Sequence, residues 1–181
     1  MEKYVLEALF QMGEPTFALE RMKQRYTRML DYAEYTTLFE GWGIGAEGFG
    51  GGTINHAWSG GPLTLLSQKV CGIEPTSPGF RTFKIAPQLG SLSEASASLE
   101  THYGTIQVSI KKKGKRMKFD LQIPEGTSAE LIKAKMVPAS ISARGTIKWI
   151  SDLCVCYISQ KTEAKNKYFG KERNLSYICN I

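Results

Sequence analysis

Histidine is scarce in this chain: His56 and His102 are the only two in 181 residues, and none of the four cysteines (Cys71, Cys154, Cys156 and Cys179) stands in a C-x-x-C pair. A structural zinc centre needs several such ligands at short spacings, so no metal site is expected. An even cysteine count does not by itself make a disulfide framework in a chain of this length. Cys71 closes an apolar stretch and reads as a buried thiol, and Cys154 and Cys156 would share one side of a strand. Long apolar runs are absent too, which excludes an obvious membrane span, and no leader is visible from Met1 onward.

What is present is ordinary for a soluble globular protein: 42% hydrophobic and 22% charged residues, with a formal net charge of +6. Part of that charge sits in residues 111–118, KKKGKRMK, with six basic side chains in eight positions. The segment reads as a hairpin tip and its flanks, where lysines discourage edge-to-edge sheet association. No stacking aromatics interleave it, so a nucleic-acid partner is not expected.

The first seventy residues carry helical spacing. In YVLEALFQM, Val5, Leu6, Leu9 and Met12 recur at threes and fours. Gly13 is placed as a left-handed cap, and Pro15 suits the first turn of a second helix. There Leu19, Met22, Tyr26 and Met29 make one stripe opposite Arg21, Lys23, Gln24, Arg25 and Arg28, so the pair forms an antiparallel hairpin. A turn is expected near residue 35, and a third helix from about Pro62 to Val70, with Leu63, Leu66 and Val70 on one face.

Between these helices lies FEGWGIGAEGFGGGTINHAW, residues 39–58, in which Gly43, Gly45 and Gly48 match the G-x-G-x-x-G spacing of dinucleotide-binding loops. That fingerprint requires a strand before it and a helix directly after it. Here a helix precedes, and Gly50, Gly51 and Gly52 follow, so a dinucleotide is excluded and no cofactor is expected. What remains is a loop carrying Glu40, Trp42, Glu47, Asn55, His56 and Trp58. Indoles can cover the apolar face of a sugar ring, polar groups can take its hydroxyls, and a carboxylate can activate water. The same residues also fit packing alone: Trp42 and Trp58 in a core, His56 in a structural hydrogen bond, Glu40 solvated.

From residue 80 the period changes to two. FRTFKIAP, ASASLETHYG, TIQVSIKK and KFDLQIP alternate apolar and polar residues between turn signals at Gly90, Gly104 and Gly114. Ile106, Val108 and Ile110 point one way, as do Phe119, Leu121 and Ile123 on the next strand, with KKGK as the hairpin turn between them. His102 falls in a strand or turn and reads as structural. Pro75, Pro78 and Gly79 mark a boundary between helical and strand parts.

Three blocks, EYTTLFEGWG, GGTINHAWSGGPLTLLSQKVCGI and PGFRTFKIAP, resemble in order and spacing the end of the catalytic domain of the inverting α-L-rhamnosidase family of glycoside hydrolases. With the helices before them they cover about residues 1–130. The resemblance implies an α+β chain: residues 1–74 as the last helices of an (α/α)6 catalytic barrel, residues 75–135 as a small antiparallel β-sandwich, and 136–181 as a poorly matched tail of strands or disorder. SDLCVCYIS reads as a strand within that tail, and EAKNKYFGKERN as solvated or disordered.

By the same resemblance Glu40 corresponds to the general base that deprotonates the attacking water, and His56 to a histidine that contacts the sugar. Asn55 and Trp42 are further candidates for substrate binding, and Phe39 stands where many members carry Trp. The partner is a rhamnose-containing glycan or glycoside.

An inverting glycosidase needs two carboxyl groups about 6.5–9.5 Å apart, one of them a general acid. The acid-bearing block of the family has no counterpart here, and Glu47 matches no family acid, reading instead as a surface carboxylate. The chain therefore reads as a piece of a longer hydrolase that is inactive alone. A leader lying upstream would be missing from such a piece, so the compartment stays open between a bacterial cytoplasm and the periplasm or exterior. The alternative is a non-catalytic carbohydrate-binding or structural sandwich. The two readings differ in whether Glu40 and His56 face one opening or point apart.

Overall fold

The computed structural model describes residues 2–31, 35–42, 52–114, 116–132, 139–144, 146–150, 155–159 and 176–178, the last four stretches by backbone alone. The chain divides into two compact units, Met1–Leu66 and Ser67–Ile181. No helix among the described residues is long and apolar enough to cross a membrane.

In the first unit α1 (Glu2–Gln11) ends where the Glu14 amide reaches back to the Leu9 carbonyl at 2.9 Å and the Gly13 amide to the Phe10 carbonyl at 3.2 Å. These are the paired bonds of a left-handed cap. Pro15 then opens α2 (Pro15–Leu30), and a Glu2–Arg21 ion pair ties the start of α1 to the middle of α2. The stripe expected on α1 holds only in part. Leu6 and Phe10 are buried, whereas Val5 and Met12 are exposed. The buried face is centred on that i, i+4 pair, which places Val5 a quarter-turn away and Met12 beyond the helix end. On α2, Tyr26 and Met29 are buried with Ala18, which the stripe did not include, and Leu19 and Met22 are half-buried.

The third expected helix is broken into pieces. A 3-10 turn at Ala57–Gly60 leads into α3 (Gly61–Leu65), and the winding then widens into a π turn at Leu66–Val70. Leu63 is therefore exposed and Leu65 buried, the reverse of the regular spacing. A change from i+4 to i+5 winding shifts which residues point inward.

The second unit holds two five-stranded sheets. One contains β1 (Ile73–Pro75), β2 (Thr82–Ile85), β6 (Ser128–Ile132), β8 (Thr146–Ile150) and β9 (Val155–Ser159), in the order β1-β2-β6-β9-β8. The other contains β3 (Glu94–Thr101), β4 (Gly104–Lys113), β5 (Arg116–Gln122), β7 (Ala139–Arg144) and β10 (Ser176–Ile178), in the order β10-β7-β5-β4-β3.

The expected alternation holds on β4 and β5, where Ile106, Val108, Ile110, Phe119 and Leu121 are buried, with Ile123 just beyond. Phe83 and Ile85 on β2 and Leu131 on β6 are buried on the other sheet. The sheets are not purely antiparallel: β2 pairs with β6 and β5 with β7 in parallel, each across a long connection that a parallel pair requires.

Pro75 ends β1, and Pro78 and Gly79 fall inside the connection of the β1–β2 hairpin, where the Thr76 and Ser77 amides both donate to the Thr82 carbonyl. The division between units lies instead between Leu66 and Ser67. His102 occupies the two-residue turn between β3 and β4, its ring 5.7 Å from Tyr103. Cys71 is buried and free, and burial pushes its thiol above the usual range. From the tail, SDLCVCYIS supplies β9, β7, β8 and β10 join the sheets, and Cys154, Cys179 and residues 160–175 lie outside the described residues.

Candidate functional site

The site grows from an aromatic anchor. Phe39 is buried beside Tyr26 and Met29 of α2, and Tyr35 meets its ring edge-on at 5.7 Å. Adjacent residues of an extended chain point to opposite sides, so burying Phe39 presents Glu40 outward.

The segment is then laced to residues 53–59. The Glu40 amide donates to the Thr53 carbonyl at 2.9 Å and the His56 amide to the Leu38 carbonyl at 3.0 Å. The hydroxyls of Thr37 and Ser59 donate to the carbonyls of Ile54 and Phe39, and the Trp58 indole N–H donates to the Glu40 carbonyl at 3.3 Å. Two stretches separated in sequence by the glycine-rich loop thereby carry their side chains to one place.

Glu40 and His56 meet there, each one-third exposed, with Nε2 of His56 3.8 Å from Oε1 of Glu40. The other carboxylate oxygen, Oε2, accepts the Thr53 amide at 3.0 Å and the Thr53 hydroxyl at 3.4 Å. On the imidazole, Nδ1 accepts the Trp58 amide at 3.4 Å, which in the neutral ring puts the proton on Nε2, facing the carboxylate. A donor and an acceptor therefore face each other at a distance too long for a direct hydrogen bond.

The two tryptophans separate. Trp42 turns toward α2, edge-on to Tyr26 at 5.2 Å and with the Arg25 guanidinium 5.4 Å from its ring centre. Trp58 is 57% exposed and lies against His56, ring centres 4.2 Å apart and planes tilted by 32°. A packing role alone would have buried it, and its place two residues after His56 was the available signal. Asn55 is exposed, and its carbonyl accepts the Thr53 hydroxyl at 3.2 Å. Glu47 and Gly43 to Gly51 lie outside the described residues, and no cluster of three or more metal-ligating side chains occurs among those described.

Behind the anchor, Leu19, Met22, Tyr26, Leu38 and Leu63 line an apolar cavity of about 310 Å³. Burial, followed by the charge of Glu2, pushes the Tyr26 phenol up to about 12.

Helices followed by two sheets define an α+β chain, and comparison with known proteins narrows the class. Residues 72–147 match the family model of the bacterial alpha-L-rhamnosidase C-terminal domain. An alpha-L-rhamnosidase of Formosa agariphila is 31% identical over 102 residues, covering 53% of this chain and 11% of that protein.

Among solved structures, the GH78 family rhamnosidase of Bacillus sp. GL1 superposes with a TM-score of 0.64 at 25% identity, over 76% of this chain and 15% of that one. The alpha-L-rhamnosidase of Dictyoglumus thermophilum gives 0.67 at 18% identity over 88% and 20%, and that of Streptomyces avermitilis, complexed with L-rhamnose, 0.63 at 21% over 86% and 16%. These last two bear on the fold alone. The chain is similar to the C-terminal region of GH78 α-L-rhamnosidases and spans 11% of the curated relative's length.

Proposed function

We propose that this chain is the C-terminal part of an inverting glycoside hydrolase for terminal α-L-rhamnosides: the last helices of an (α/α)6 barrel, carrying the general base Glu40, followed by a β-sandwich. The observation that carries the reading is that Glu40 and His56 lie side by side, 3.8 Å apart and each one-third exposed, with an exposed indole beside them. Side chains pointing apart would have favoured a non-catalytic sandwich.

In the proposed reaction Glu40 accepts a proton from water as the water attacks the anomeric carbon, and the Nε2 proton of His56 holds a sugar hydroxyl. Trp58 offers its face to the apolar side of the ring. A second carboxylic acid, supplied by an earlier barrel segment, protonates the leaving oxygen from about 6.5–9.5 Å away, and the intervening water dictates inversion.

The test uses this chain joined to the remaining barrel of a GH78 relative. Proton NMR of the first-formed rhamnose should show the anomer opposite to that of the substrate. Retained configuration would remove the general-base role of Glu40, because it requires direct attack by a carboxylate.

A further inference from the structure

We propose that Gly52 and Thr53 form a positioning clasp that commits Oε2 of Glu40 and leaves Oε1 as the oxygen that takes the proton; the catalytic half of this statement rests on the general-base reading. Glu40 is tied to one residue twice. Its amide donates to the Thr53 carbonyl at 2.9 Å, and the Thr53 amide donates back to Oε2 at 3.0 Å, with the Thr53 hydroxyl adding a longer contact at 3.4 Å. A carboxylate held by a backbone amide loses the rotational freedom that would let its two oxygens exchange. Oε1 has no hydrogen-bond donor among the described residues, and the group it faces, Nε2 of His56, stands off at 3.8 Å.

Gly52 makes room for this arrangement. Its φ is outside the left-handed region, so an L-residue would suit the backbone there. What is excluded is volume: a Cβ at position 52 would lie 2.6 Å from Cβ, 2.9 Å from Cγ and 2.8 Å from Oε2 of Glu40. Cβ is fixed by the main chain and Cγ clears only by rotation about χ1, so an alanine would displace the whole carboxylate and pull Oε2 off the Thr53 amide. Gly60 supplies the matched control, because a Cβ there meets nothing within 4 Å.

A backbone amide bonded to a carboxylate reports that carboxylate's ionisation, so the clasp is tested on the full chain by ¹H–¹⁵N NMR from about pH 7 to about pH 3, across the ordinary glutamate range. The Thr53 amide proton should shift with acid, lose that response in Glu40→Gln, lose most of it in Gly52→Ala, and keep it in Gly60→Ala. A Thr53 amide that does not respond in the wild type, or that responds equally in Glu40→Gln, overturns the clasp whether or not Gly52→Ala folds. An unchanged response in folded Gly52→Ala overturns the role of Gly52. Adding L-rhamnose to the labelled chain joined to the remaining barrel of a GH78 relative separates the two ideas: if the clasp signature is present and the sugar perturbs neither His56 nor Thr53, the clasp stands and the sugar-site reading falls.

Discussion

Glu40 owes its direction to its neighbour. Phe39 is drawn into the cluster with Tyr26 and Met29, and the next side chain is turned outward with its backbone held by Thr53 and Trp58. If Glu40 is the proton acceptor, Glu40→Gln in the barrel-complemented enzyme should lower kcat by about 10²–10⁴-fold while KM stays near wild type, as steady-state kinetics on an aryl α-L-rhamnoside will show. His56→Ala removes a hydroxyl partner instead, so KM should rise along with any fall in kcat. Residue types fitted a sugar site or packing, and the resemblance singled out Glu40 and His56, but nothing in their spacing gave the 3.8 Å between them, which depends on backbone bonds across the intervening loop. Of the two indoles, the resemblance singled out Trp42. Tyr26 and Arg25, on a separate helix, are what draw Trp42 inward and leave Trp58 in the open.

At the scale of elements, the β1–β2 hairpin concentrates two sensitivities. Gly72 has φ +78°, and a Cβ on it would lie 2.3 Å from the Ala86 carbonyl carbon, where the Ala86 amide bonds the Gly72 carbonyl at 2.9 Å. Gly72→Ala should therefore cost about 1–2 kcal/mol from left-handed strain alone, with backbone overlap adding to it, and should lower Tm clearly against a Gly60→Ala control. Glu74 carries the second. Burial opposes its ionisation, but Lys69 at 2.6 Å and Lys84 at 2.8 Å outweigh burial and hold its carboxyl below the usual value. A lowered folded-state pKa contributes stability that is present above the ordinary glutamate value and lost as pH falls through the folded one. The acid limb of a Tm-versus-pH curve should accordingly flatten in Glu74→Gln, and an unchanged limb would show that the pair adds no such stability. The alternating strands were legible because period two survives any register. The π turn was not, since widening at Leu66–Val70 leaves no mark in residue type, and that is why Leu63 and Leu65 exchanged places.

For the whole chain, the proposed function places on an earlier segment a general acid that supplies about 10²–10⁴-fold, and so predicts no useful hydrolysis of an aryl α-L-rhamnoside by these residues alone. Turnover near that of intact relatives, in a preparation free of host glycosidases, would show that a carboxylate within the chain serves as the acid. The tail was the least legible part: β7, β9 and β10 find partners at long range, and no local pattern announces a parallel neighbour. Those partners also decide how the sheet unit can come apart. The chain runs from β2 in one sheet through β3, β4 and β5 in the other, then back to β6, across to β7, back to β8 and β9, and across again to β10. Every excursion is closed by a ladder to a strand laid down earlier, as Thr82 is with Ser128 and Met117 with Ala139. The two sheets are thus built from one interleaved chain path, and they are expected to open together. Amide protons of β2 and β4 should therefore become exchangeable in a single concerted event. A chain cut before β6 would leave β2 without its inner neighbour, so the unit gains its protection only late in synthesis.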